Sequence, residues 1–115
     1  MLFRFFSIER LKMRKALFFF FLKILSVKVT VQDGLNLPKT FYFIIEEGIN
    51  LHRVIQVALN QYNQYLAPIR RFPDNLLTME SNLNCFVNGE FRYRLLWKMR
   101  KSTNNDTILI QRATK

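Results

Sequence analysis

Cys85 and His52 are the only thiol and the only imidazole in 115 residues, so nucleophilic or metal chemistry would have to be built on that pair. A thiolate nucleophile needs a base within reach and a third group to orient that base. His52 falls at a predicted helix start with no adjacent carboxylate partner apparent. Cys85 falls on a predicted strand between Asn84 and Phe86, the usual setting of a buried structural thiol. One cysteine and one histidine fall short of a zinc ligand set, so neither metal nor cofactor is expected. Asp33, Glu46, Glu47 and Asp74 offer carboxylates, but Glu46-Glu47 lies beside the same helix start, where acidic side chains favour the helix dipole. Without a catalytic constellation, the expectation is a chain that is not an enzyme.

The formal net charge of +10 is concentrated at the two ends. Residues 1–28 carry seven Lys or Arg against Glu9, residues 29–88 carry four against five acids, and residues 89–115 carry seven against two. Basic ends attract nucleic acid, anionic lipid or an acidic protein without distinguishing among them. A lone cysteine cannot form an internal disulfide, which favours a reducing compartment and a cytoplasmic location. A length of 115 residues suits one domain with its own core.

Residues 1–23 stand apart as a basic, hydrophobic leader. Ala16 to Leu22 is an uninterrupted apolar run, but Lys23 ends it well short of the roughly 20 residues that a membrane span needs. Three readings are open. The plainest is an extra helix or a poorly ordered leader packed on the domain by its aromatics. The next is a surface anchor with Arg10, Lys12, Arg14 and Lys15 at lipid headgroups. The last is a signal peptide, with Met13-Arg14-Lys15 as its basic region. The second and third would make the protein membrane-associated or secreted.

Residues 24–115 read as the domain proper. Val27, Val29 and Val31 alternate with polar residues, Asp33-Gly34 supplies a turn, and Phe41 to Ile45 forms a second strand. A helix from about Asn50 to Leu66 places Leu51, Val54, Ile55, Ala58, Tyr62, Tyr65 and Leu66 on one face. Asn50 is its N-cap and Pro68 lies just past its end. The opposite face, with Asn63 among its amides, reads as solvated. Residues 67–82 form a loop containing the basic pair Arg70-Arg71. Leu83 to Val87 is a strand closed by the turn Asn88-Gly89. Phe91, Tyr93, Leu95, Trp97 and Met99 then alternate with Arg92, Arg94, Leu96, Lys98 and Arg100, which predicts a long strand with aromatics inward and cations outward. Thr107 to Arg112 is the last strand. The order is strand, strand, helix, loop and three strands. It predicts an α+β domain of four to five strands in a mixed sheet on one main helix, with the first and last strands parallel in mid-sheet.

The segment KVTVQDGLNLPKTFYFIIEEGINLHRVIQVALNQY resembles the opening strands and helix of ubiquitin-like β-grasp domains, and LNCFVNGEF with NNDTILIQRA resembles their later strands. Ras-association domains look closest. That resemblance implies a protein-interaction module in signalling, with a small GTPase among the partner types. GTPase-binding members carry basic residues on the second strand, where this chain has Lys39, Thr40, Phe41, Tyr42 and Phe43. Ubiquitin-like modifiers end in Gly-Gly, whereas this chain ends Ala113-Thr114-Lys115, so conjugation is not expected. The partner-binding residues expected are Lys39, Tyr42, Arg92, Arg94, Lys98 and Arg100, meeting an acidic protein through the sheet or an open strand edge. Nucleic-acid binding is the alternative, with the aromatics expected to face away from the arginines.

Overall fold

The computed structural model describes residues 24–34, 37–66 and 76–113. The leader, with Arg10, Lys12, Arg14 and Lys15, and the pair Arg70-Arg71 lie outside the described residues. The elements are β1 (Ile24–Gln32), β2 (Lys39–Glu46), α1 (Leu51–Leu66), β3 (Leu83–Val87), β4 (Glu90–Arg92), a 3₁₀ helix (Arg94–Leu96) and β5 (Asp106–Arg112). They form an α+β domain of two layers, one helix on one five-stranded mixed sheet ordered β2-β1-β5-β3-β4.

β1 pairs antiparallel with β2, with Val29 opposite Phe41, and parallel with β5, with Val29 opposite Ile108. β3 pairs antiparallel with β5 and with β4. The period of two turns Val27, Val29, Val31, Phe43, Ile45, Cys85, Val87, Ile108 and Ile110 to the face that α1 covers. From α1, Leu51, Val54, Ile55, Ala58, Leu59, Tyr62 and Leu66 complete that core. Leu59 widens the expected apolar stripe. Tyr65 departs from it and is about half exposed, with the Lys39 ammonium 4.7 Å from its ring centre.

Polar side chains fasten the elements at their ends. The Asn50 side-chain oxygen accepts from the Arg53 N–H at 2.9 Å, the expected N-cap bond. No acidic residue occupies the first turn of α1, so Glu46 and Glu47 belong to the end of β2 and the turn after it rather than to the helix dipole. The buried Asp33 accepts from the Tyr62 hydroxyl at 2.7 Å, tying the β1 terminus to the helix. Asn63 is not merely solvated. Its amide donates to the Leu77 carbonyl and its oxygen accepts from the Leu77 N–H, which pins the buried Leu77 over the core. At the β3–β4 turn, Asn88 (φ 52°) and Gly89 (φ 84°) both take the left-handed conformation that a tight two-residue hairpin requires.

Candidate functional site

The long strand expected from residue 91 to residue 99 does not form. β4 stops at Arg92, and the chain winds through a 3₁₀ turn with Leu96 N–H donating to Tyr93 and Trp97 N–H to Arg94. The reason lies in the neighbours. β3 is only five residues long and its pairing with β4 ends at Cys85 opposite Arg92, so a nine-residue strand would run past its partner. The turn, in contrast, satisfies the open N–H groups at the start of α1. The Leu51 N–H donates to the Arg100 carbonyl at 2.8 Å and the His52 N–H to the Trp97 carbonyl at 3.1 Å.

Trp97 is the anchor of this segment. It is buried, its indole N–H donates to the Arg92 carbonyl at 3.1 Å, and the Arg94 guanidinium lies 4.9 Å from its ring centre. The other four residues expected inward are not core. Phe91 is 44% exposed, Tyr93 67%, Leu95 91% and Met99 75%. Phe86, Phe91 and Tyr93 meet edge to face in succession, with ring centres 5.6 Å and 5.0 Å apart. Leu95, Leu96 and Met99 therefore form an apolar ridge on a short, well-anchored turn.

The six expected binding residues do not share one surface. Lys39 and Tyr42 lie on β2 and Arg92 on β4, strands at opposite edges of the sheet, four strand spacings or roughly 19 Å apart. Arg92 pairs with Glu90 at 3.1 Å. Arg94 donates to the carbonyls of Met79 and Ser81, which holds its guanidinium against the turn without neutralising it. Arg100 faces inward and pairs with the buried Asp106 at 3.1 Å. Lys98 is exposed, and neither it nor Arg94 has a carboxylate partner among the described residues.

His52 joins this group through space. It lines a cleft of about 290 Å³ together with Met79, Arg94, Leu95 and Lys98. Partial burial, followed by the charges of Lys98, Arg94 and Arg53, holds its imidazole below the ordinary histidine range. A second cleft, of about 230 Å³ between Leu51, Arg92, Leu96, Met99 and Arg100, lies on the other flank of the ridge. Sequence reading could not connect His52 to Lys98, because their meeting depends on the turn that replaces the strand.

Cys85 sits in the core under the sheet, where burial pushes its thiol up to about 12 against the weaker opposing pull of Arg100 and Arg92. At that value it is a packing group, not a thiolate. Among the described residues no cluster of His, Cys, Asp or Glu could hold a metal ion, and no helix is long and apolar enough to cross a membrane.

By layer and pairing, the described residues form an α+β domain with a mixed five-stranded sheet and one α-helix. The chain matches no protein-family model, no curated protein and no solved structure.

Proposed function

We propose that this chain is a non-enzymatic protein-interaction module of the ubiquitin-like, β-grasp kind, nearest to Ras-association domains and acting in signalling in the cytoplasm. The observation that carries the docking role is the ridge of Leu95, Leu96 and Met99, displayed on a turn that a buried tryptophan and two carbonyl contacts of Arg94 hold in place. Exposed apolar side chains gathered in one place are a mark of recognition surfaces, and anchoring the turn beforehand lowers the ordering cost of binding. The α+β layout, with β1 and β5 parallel in mid-sheet, supports the family reading. The docking surface favoured is the β4 flank with Arg94 and Lys98, whereas Lys39 and Tyr42 lie on the far edge strand and, three residues apart, on opposite faces of the sheet.

The double substitution Leu95→Asp with Met99→Asp tests the ridge. Both side chains are largely in water, so folding is retained, while recovery of the bound protein from an extract of producing cells falls by about tenfold or more. Undiminished recovery would remove the ridge from the proposal. The exposure of Phe91 and Tyr93 favours single-stranded nucleic acid as a second reading, because these rings are available for stacking, although Arg92, opposite Cys85 in the pairing, lies on the other side of the sheet from Phe91. Nuclease treatment of the extract separates the two. Protein recovery survives it under the first reading and is lost under the second.

A further inference from the structure

We infer that the cleft between α1 and the 3₁₀ turn, lined by His52, Arg94 and Lys98 with Met79 and Leu95, receives a carboxylate from an acidic peptide segment whose adjacent apolar residue packs on Leu95. This rests on the docking role proposed for the ridge and adds to it the chemistry of the partner.

Three cationic or protonatable groups converge on one concave surface of about 290 Å³, and the two permanent charges have no carboxylate partner among the described residues. The backbone N–H groups of Leu51, His52 and Arg53 at the start of α1 are all engaged, so attraction for an anion comes from side chains rather than from the helix terminus. Met79 and Leu95 make the remaining wall apolar. A bare inorganic anion would leave that wall wet, whereas an acidic residue flanked by a leucine fills both parts.

A protonation linkage follows. The charged groups facing His52 are Lys98, Arg94 and Arg53, from α1 and the turn, and together with partial burial they disfavour imidazolium in the free protein. An incoming carboxylate reverses that balance and raises the affinity of His52 for a proton. Binding therefore takes up protons, and affinity rises as pH falls through the histidine range.

His52 is the only histidine, so its ring resonance can be followed by NMR in the intact protein without assignment ambiguity. The probe is the acetylated, amidated peptide Glu-Glu-Leu-Glu-Glu, with Gln-Gln-Leu-Gln-Gln as its uncharged control. The acidic peptide is expected to move the His52 midpoint upward while the control leaves it in place. Lys98→Glu is expected to weaken peptide binding by roughly tenfold, since an exposed attraction becomes a repulsion. His52→Gln is expected to retain binding but flatten its pH dependence. A His52 midpoint unmoved by the acidic peptide, or equal binding by the Lys98→Glu variant, would overturn the inference. Inorganic phosphate or oligouridylate shifting His52 where the acidic peptide does not would also overturn it. If Leu95→Asp with Met99→Asp still abolishes partner recovery in any of those cases, the docking surface stands and only the carboxylate pocket is lost.

Discussion

Replacing Trp97 with alanine lowers the stability of the domain by about 3–5 kcal/mol, whereas replacing Leu95, two residues away, changes it by no more than about 0.5 kcal/mol. The contrast follows from position. Trp97 is 1% exposed, is the largest fully buried side chain among the described residues, and gives its indole N–H to the Arg92 carbonyl while its own carbonyl accepts from the first turn of α1. Removing the ring opens a cavity and releases the turn that satisfies the helix start. Against a typical total of about 5–15 kcal/mol for a natural domain, such a loss takes away much of the margin. Trp97→Phe keeps most of the burial and loses the bond to the Arg92 carbonyl, so it falls between the two, at about 1–2 kcal/mol. Urea denaturation of the three variants checks the ranking. In a nine-residue strand with aromatics inward, Leu95 and Trp97 would instead share the same core and both alanine variants would be severe.

Asp106 carries the second large effect. Its carboxylate is fully buried and accepts four hydrogen bonds, from the Thr103 N–H and hydroxyl, the Asn88 amide and the Arg100 guanidinium, at 2.7–3.1 Å. Burial by itself would raise its pKa, but those four donors together outweigh it and hold the carboxyl below the ordinary aspartate range. The folded pKa is thus lower than the unfolded one, so the stabilisation is complete above the unfolded value, around pH 4, and is lost as pH falls below it through the folded value. Asp106→Asn places an amide N–H₂ among groups that all donate and leaves Arg100 without its counter-charge, at a cost of about 3 kcal/mol at neutral pH. Thermal unfolding of both proteins between pH 7 and pH 3 is the check. The difference should shrink as the medium becomes acidic, and a constant gap would mean that the carboxylate does not titrate as described.

The same Asp106 network closes the sheet near the start of β5. Asn88, in the β3–β4 turn, both donates to Asp106 and accepts from the Thr107 N–H, and the Asn105 N–H bonds to the Ser26 carbonyl of β1. Asn105-Asp106-Thr107, which by spelling is a glycosylation tripeptide, therefore has a structural use at its middle residue.

What could be read from residue order was whatever depends on near neighbours. The valines of β1, the Asn88-Gly89 turn and the Asn50 cap each act within a few residues of themselves, and each takes its expected form. The stretch from residue 91 to residue 100 has equally regular alternation and folds otherwise. Strand formation there depends on how much partner strand β3 offers, which is a property of another part of the chain. One local sign existed: Leu96 breaks the cationic series Arg92, Arg94, Lys98 and Arg100, and the Leu95-Leu96 doublet sits where the 3₁₀ turn forms. Arg94 and Lys98 were legible as surface cations, but His52 was not legible as their neighbour. Asn63 was likewise hidden, because an amide on a polar helix face gives no hint that a loop backbone will come to meet it.

Hydroxyl-radical footprinting of the intact protein, read residue by residue by mass spectrometry, addresses the arrangement of this turn most directly. The expected result is rapid modification of Tyr93, Leu95 and Met99 together with protection of Trp97. Protection of Leu95 and Met99, or modification of Trp97 at the rate of Tyr93, would contradict an apolar ridge held up by a buried tryptophan.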